Sequence, residues 1–407
     1  MTKKSLEGLR ILDLSRVLAG PFCTQMLGDM GAEVIKIEKP FAGDDTRFWG
    51  PPFLKNADGE DTGESAYYLS TNRNKRSLAV DITSKEGQEI IHKLLAVSDV
   101  MIENFKTGGL AKYGLDYEQI KERHPHIVYC SITGFGHTGP MAGEPGYDFL
   151  AQAMAGLMAC TGGPDQEPTK VGVALSDIMT GLYAAIGILA ALRAREESGE
   201  GQMVDLSLLD CTLSSLSNIA QYYLTSGKIA PRLGNAHSTI VPYQAFEAKD
   251  GHIILAVGND GQFTRFCEFA GVEWHKDLRF ATNAVRVKNR EILVPLIKEV
   301  IAAQTTAHWI EGLNDHGVPC GPVNTMDQVF DMEQIKAREM KIHMSHPDSG
   351  EDIDLVGSPL KFSGTPVSYT YAPPKLGQHT ADILEDLLGL SLEELEKLED
   401  AKVIQKV

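Results

Sequence analysis

The 407-residue sequence has no CxxC pair, no apolar leader, no internal repeat and no low-complexity segment, and it is poor in positive charge. Each absence excludes something. Cys23, Cys130, Cys160, Cys211, Cys267 and Cys320 are scattered, which reads as buried reduced thiols and no metal site. The opening Met1-Thr-Lys-Lys-Ser-Leu-Glu7 lacks the apolar core of a secretory signal. The apolar run Ile178–Leu192 is short for a membrane span and carries Thr180 and Tyr183. Lys and Arg number 38 against 55 Asp and Glu, a formal net charge of −17. Nucleic-acid affinity rests on basic side chains that neutralise phosphates, so that class of partner is excluded. A local basic cluster for a small phosphorylated ligand is not. The expectation is a cytoplasmic protein with neither a nucleic-acid nor a membrane partner.

What is present is an alternation of strands and helices. Apolar residues at 43% supply ample core, and the length exceeds one usual core, so two domains are expected. Arg10–Leu14 reads as a buried strand, followed by a turn at Gly20-Pro21, a helix to Leu27 and a strand at Val34–Ile37. Strand Ser77–Asp81, helix Lys85–Val97, strand Val100–Glu103, helix Tyr117–Arg123 and strand Ile127–Ser131 continue the pattern. Such alternation predicts an open, doubly wound α/β sheet with right-handed crossovers. After the first strand stands Ser15-Arg-Val-Leu-Ala-Gly-Pro-Phe22 rather than GxGxxG, which argues against a dinucleotide.

Tyr147–Cys160 and Ile178–Arg195 read as helices, Gly201–Ser207 as a strand and Leu208–Thr225 as a helix. Ser226–Pro242 is a linker by its Gly, Pro, Asn and His content. Beyond it, a hairpin of Tyr243–Ala248 and His252–Val257 leads into helices near Gln262–Ala270, Asn289–Gln304 and Thr306–His316. Strands return at Asp354–Val356 and Leu360–Phe362, before helices Ala381–Leu387 and Leu392–Glu399. The boundaries expected are a large domain over 1–225, a smaller α+β domain over 226–330, and a return to the large domain over 331–407.

Asp177 stands out within Val171-Gly-Val-Ala-Leu-Ser-Asp-Ile-Met-Thr-Gly181, a carboxylate among small and apolar residues where a loop feeds a helix. Two readings are open from the local pattern. It is an N-cap, or it is a functional acid whose charged form the helix dipole stabilises.

The chain resembles the class III CoA-transferases, the family of formyl-CoA transferase and the carnitine CoA-transferase. The resemblance spans essentially the whole chain. It is carried by Leu6-Glu-Gly-Leu-Arg-Ile-Leu-Asp-Leu14, Ala19-Gly-Pro21, Gly28-Asp-Met-Gly-Ala-Glu-Val-Ile-Lys-Ile-Glu38 and Asn74-Lys-Arg-Ser-Leu78. Val100-Met-Ile-Glu-Asn-Phe105, Gly134-Phe-Gly136, Thr138-Gly-Pro140 and Ser176-Asp177 complete it. No single motif is specific; their order and spacing are.

The resemblance implies a Rossmann-like large domain with a parallel sheet built from both chain ends, a small domain between, and an interlinked, ring-like homodimer. It implies coenzyme A or acyl-CoA as substrate, small carboxylic acids as the other partner, and no tightly bound cofactor. Asp177 would be the nucleophile. Val17 and Ala19 would lie near the thiol arm, Val80 at the adenine, and Lys39 and Lys112 at phosphates. Asn104, Phe105 and Lys106 would line the approach, with Tyr147 and Asp148 bordering the pocket. A solvated surface lysine is the alternative for Lys39 and Lys112 taken singly.

Val257-Gly-Asn-Asp-Gly-Gln262 holds the place of the family's glycine-rich lid, giving Gly258, Gly261 and Gln262 a substrate role; a plain turn is the alternative. Leu18 stands where formyl-CoA transferase has glutamine, which argues against formyl or oxalate specificity. The racemases of the same fold have histidine where this chain has Tyr147. A free phenol titrates near ~10 and is a poor base, so transfer is favoured over isomerisation at an α-carbon. Arg232 and His237, in Arg232-Leu-Gly-Asn-Ala-His-Ser-Thr239, are the candidates for pairing with the distal carboxylate of a dicarboxylic acid such as succinate or glutarate. In the other reading His237 only hydrogen-bonds backbone.

Overall fold

A computed structural model describes residues 3–407; the first two positions of the opening segment lie outside it. The described residues form two compact units. One comprises the chain up to Leu157, Val171–Gln221 and Glu333–Val407; the other comprises Met158–Lys170 and Tyr222–Met332. Met158–Lys170, read from sequence with residues 1–225, thus belongs to the second unit.

The first unit is built on six parallel strands: β1 (Arg10–Asp13), β2 (Glu33–Glu38), β3 (Lys75–Val80), β4 (Val100–Glu103), β5 (Val128–Thr133) and β6 (Met203–Ser207). Their spatial order is β3-β2-β1-β4-β5-β6, and the C-terminal strand Ile404–Gln405 adds to β3 antiparallel. This is the doubly wound order, whose direction reverses between β1 and β4.

Both faces of the sheet are buried, as the near-continuous apolar strands require. Leu12, Ile35, Ile37, Leu78 and Met101 face one side, packed with Ile90, Ile91 and Leu94 of helix Lys85–Leu95. Their neighbours Ile11, Val34, Val100, Ile102 and Val128 face the other. There α1 (Ala19–Asp29) and α3 (Leu175–Ser198) cover them. Each fully buried Leu or Ile contributes about 1.5–3 kcal/mol. Between α1 and α3 in sequence comes the short α2 (Asp148–Met154), and after β6 comes α4 (Leu208–Ser215).

Several expectations change. Gly20-Pro21 is no turn but the first turn of α1, where a missing N–H costs nothing. The helix read over Tyr147–Cys160 is broken at Gly156, whose φ is +92°, and Leu208–Thr225 is broken at Ser217, whose φ is +39°. Leu360–Phe362 forms no strand; Asp352–Val356 pairs instead with Lys341–Ser345. The apolar run at Ile178 belongs to a 24-residue helix, α3, long and apolar enough by those two measures to cross a membrane. It lies instead against α1, α2 and α4, burying Thr180, Ala184, Ile188 and Ala191.

In the second unit, Tyr243–Ala248 and Gly251–Ala256 form the expected hairpin, and Cys320–Pro322 adds a third antiparallel strand that the sequence did not signal. Helix α5 (Asp260–Phe269) and helices Arg290–Ala302 and Thr306–Asp315 close a core of Phe246, Phe263, Phe266, Leu293 and Trp309. All six cysteines are free, four of them buried.

Candidate functional site

Where strand order reverses, the loops after β1 and β4 part and leave a crevice at the carboxyl ends of the strands. A cavity of about 470 Å³ opens there. Its wall brings together Val17, Leu18, Ala19, Asn104, Phe105, Lys106, Lys112, Tyr147, Asp148 and Asp177. These are ten of the positions singled out above, drawn from four separate stretches of chain.

The loop after β1 is held under tension. Val17 has a φ of +71°, a left-handed conformation that costs a β-branched residue on the order of 1–3 kcal/mol. Asn104 grips Arg16 on one side: the Arg16 N–H donates to Oδ1 at 2.9 Å, and Nδ2 donates to the Arg16 carbonyl at 2.7 Å. Asp44 grips the other side, accepting the Val17 N–H on both oxygens at 3.3 Å. The sequence reading gave Asn104 a place on the ligand path; its amide is committed to this loop.

Under the loop lies a network of buried charge that the sequence reading missed. Lys36 Nζ donates to Asp44 at 2.9 Å and to the Ser15 carbonyl at 3.1 Å. Burial alone would raise the Asp44 carboxyl, but Lys36 and the N–H and hydroxyl of Thr46 bring it down to about 2. Lys75 reaches Asp13 at 3.3 Å and the Pro21 carbonyl at 2.9 Å; burial pulls it down to about 8 against the attraction of Asp13. Gly20 is required because a Cβ there would lie 2.1 Å from the Ser15 hydroxyl oxygen. That contact gives Ala19-Gly-Pro21 its physical reason.

Helix α1 starts at this loop without a cap. Leu18 takes the N-cap position and offers no side-chain acceptor. No described residue accepts the N–H groups of Leu18 or Ala19. Helix α3 comes close beside it: a Cβ on Gly181 would lie 2.6 Å from the Ala19 carbonyl, so only glycine permits this approach.

Asp177 lies one turn before Gly181. It is not the N-cap; that place is Ala174, which has no capping side chain, and Asp177 is third in the helix. The capping acceptor comes from elsewhere. Asp148 Oδ1 accepts the N–H of Ser176 at 2.8 Å and of Asp177 at 3.3 Å, while its Oδ2 accepts from Gln152 Nε2 at 2.8 Å. Gln152 also takes the Val171 N–H at 2.9 Å, so one turn of α2 clamps the approach to α3. A back-to-back crossing of Gly134 and Gly146 places that turn, since a Cβ on either would lie about 2.4–2.5 Å from the other's Cα.

The Asp177 carboxylate has no hydrogen-bond partner of its own among the described residues. Burial first, and the negative charge of Asp148 second, push it up to about 7. The expectation that the helix N-terminus keeps it ionised is therefore corrected. Desolvation and a neighbouring carboxylate outweigh the dipole, which Asp148 already neutralises.

Lys39 and Val80 line a second cavity of about 360 Å³, with Lys36, Asp44, Ile82 and Thr83. Arg16, Phe105 and Tyr113 belong to the walls of both cavities, so the two adjoin. Lys39, Lys106 and Lys112 are exposed, and none has a carboxylate partner among the described residues. Arg16, by contrast, is paired with Asp45 at 2.7 Å.

The remaining predicted positions lie in the second unit. Arg232 donates from Nε to the Gly163 carbonyl at 3.3 Å and from Nη2 to that of Gln166 at 2.8 Å. His237 Nδ1 accepts the Thr239 N–H at 3.1 Å, and its ring meets Tyr243 edge-on. The segment Val257–Gln262 is a strand end followed by the capped first turn of α5. Asn259 Oδ1 takes the Gln262 N–H at 2.9 Å, and Gln262 Oε1 takes that of Gly258 at 2.7 Å. Asp260 is tied at 2.8 Å to both Asn283 N–H and Arg286. Gly258 and Gly261 have no positive φ.

Comparison with known proteins gives a consistent set of likenesses. The family model described as CoA-transferase family III matches residues 6–380. A succinate–glutarate CoA-transferase of Agrobacterium fabrum is 46% identical over 95% of this chain and 96% of its own. The succinyl-CoA:glutarate CoA-transferase of Homo sapiens is 45% identical over 99% of this chain and 90% of its own. Among solved structures, a CAIB/BAIF family protein from Brucella suis superposes with a TM-score of 0.85 at 47% identity, covering 95% of this chain and all of the other.

Proposed function

The chain belongs to CoA-transferase family III, and from that premise we propose that it moves CoA from an acyl-CoA donor such as succinyl-CoA to a dicarboxylate such as glutarate, with Asp177 as nucleophile. The observation that carries the reading is the placement of Asp177. Its carboxylate is partly buried and unpartnered, and shares a cavity with the uncapped start of α1 and with lysines that have no carboxylate partner.

The chemistry balances without a redox partner. The ionised Asp177 attacks the donor thioester carbonyl; the C–S bond breaks, leaving a mixed anhydride and the CoA thiolate. The thiolate attacks the aspartyl carbonyl of that anhydride, the donor acid departs as carboxylate, and CoA stays on Asp177 as a thioester. The acceptor carboxylate then attacks this thioester, releasing thiolate and forming a second anhydride. Thiolate attack on its acceptor carbonyl yields the new acyl-CoA and frees Asp177.

Every step passes through a tetrahedral oxyanion, and the N–H groups of Leu18 and Ala19 are the donors we assign to it. Desolvation raises the carboxyl and also strips the carboxylate of water, making it a better nucleophile once ionised, and it spares the anhydride from hydrolysis. Lys39 and Val80 in the second cavity, with Lys106 and Lys112 in the first, fit a CoA chain running from one to the other. A lysine binds phosphate as a point charge, without the bidentate hold of arginine.

For the acceptor we retain Arg232 and His237, and for loop contacts Gly258, Gly261 and Gln262. Leu18 adds an apolar wall where formyl-CoA transferase has glutamine. The interlinked homodimer is also retained. Exposed Phe149, Leu150 and Met154 of α2, Leu182 and Ile186 of α3 and Leu213 of α4 give the first unit an apolar surface suited to a second copy.

The test is a panel of mono- and dicarboxylic acids offered with succinyl-CoA. Transfer to C4–C6 diacids well above monoacids of equal length is expected. Deuterium wash-in at the α-carbon of a 2-methylacyl-CoA without any acceptor acid, and no transfer, would replace this reading with isomerisation.

A further inference from the structure

We propose that Asp44, backed by Lys36, is a positioning residue for this reaction: it holds the left-handed turn at Val17 that presents the N–H groups of Leu18 and Ala19 to the Asp177 cavity. The inference rests on the assignment of those N–H groups to the oxyanion.

The geometry is specific. The Asp44 carboxylate has no hydrogen-bond partner outside this support: its two oxygens take Val17 N–H, Lys36 Nζ, and the N–H and hydroxyl of Thr46, at 3.0 and 2.8 Å for the last two. Asp44, Lys36 and Thr46 are almost wholly buried, so the carboxylate is in place before any ligand arrives. Lys36 joins Asp44 to the Ser15 carbonyl, two residues before Val17, and thereby fixes both ends of the turn. A valine left to itself would relax to negative φ. Rotating that peptide would swing the start of α1 and the direction of its first N–H groups. Misplacement by about 1 Å is enough to cost roughly a hundredfold in rate.

Residues of this kind act on kcat more than on substrate binding, and they are coupled to the residue they restrain. Three variants separate this from a role in stability alone. Asp44→Asn, which leaves one acceptor oxygen but removes the charge Lys36 needs, lowers kcat for CoA exchange by roughly tenfold or more with KM for acyl-CoA within about twofold. In a Val17→Gly background the same substitution loses about threefold or less, because glycine adopts positive φ without being held. Thr46→Val, which removes one hydroxyl from Asp44 and keeps the charge pair, lowers kcat by a smaller factor, about threefold, so the idea remains testable if Asp44→Asn does not fold.

Equal losses from Asp44→Asn in both backgrounds, a loss carried by KM, or a folded Thr46→Val enzyme with wild-type kcat would each overturn the proposal. Asp177→Asn in the same assay keeps the two failures apart. An inactive Asp177→Asn beside a fully active Asp44→Asn refutes the positioning role alone. Activity retained in Asp177→Asn refutes the catalytic reading beneath it.

Discussion

Two helices begin at the same cavity, and they treat their orphan N–H groups in opposite ways. At α3, the N–H groups of Ser176 and Asp177 are taken by the Asp148 carboxylate. At α1, those of Leu18 and Ala19 have no partner among the described residues, and Asp44 grips the strained, left-handed Val17 that precedes them. Burial, and second to it the Asp148 carboxylate that already fills this helix start, raise Asp177 to about 7. A helix start left empty favours an arriving anion. On the mechanism we propose, one end prepares the nucleophile, and the other waits for the charge that the nucleophile creates.

The comparison breaks most directly at Asp177. Asp177→Asn keeps the side-chain volume and removes the attacking oxygen anion, so CoA exchange should fall by roughly a thousandfold or more while acyl-CoA still binds. Isothermal titration with CoA beside an exchange assay checks both halves; lost binding would point to a structural role for Asp177.

Asp148→Asn sharpens the contrast. The amide oxygen can still accept from Ser176 and Asp177, but the like charge is gone, so the Asp177 carboxyl should fall from about 7. On the proposed mechanism the free enzyme needs the ionised form. In wild type, kcat/KM for the donor should therefore rise with pH through an apparent value near 7, and in Asp148→Asn that limb should move to lower pH by on the order of one unit. An unmoved limb would assign the titration to another group.

The smallest effect is on stability. The Asp177 carboxyl is raised in the folded protein above its unfolded value near ~3.9, so its contribution is fully present below that pH and lost as pH rises through about 7. Asp177→Asn should accordingly be more stable than wild type at pH 8, by about 2 kcal/mol after allowance for its water-facing side, and equal to it near pH 4. Thermal midpoints at the two pH values check the sign; a gain at pH 4 only would reverse it.

Much of this was legible in the chain. Buried apolar strands alternating with helices announced the doubly wound sheet, and the ordered motifs led to the residues that meet at the cavity. What escaped depends on contacts between distant residues. The N-cap reading of Asp177 stayed open from the local pattern because the true capping group, Asp148, is 29 residues away and on another helix. Lys36 read only as part of the strand Val34–Ile37 and Asp44 drew no reading at all, since nothing local marks a buried pair that supports Val17. The breaks at Gly156 and Ser217 arise from positive φ values that no periodicity reveals. Asn104 and the Val257–Gln262 segment, read from sequence as facing a ligand, form hydrogen bonds that serve the protein's own backbone.

The account's central claim is that Asp177 carries CoA covalently, and the intact mass of the protein incubated with succinyl-CoA and no acceptor tests it. The account predicts a CoA-sized adduct that hydroxylamine removes, that maps to Asp177, and that is absent from Asp177→Asn. An adduct on another residue, or exchange at full rate with no adduct under rapid quenching, would contradict it.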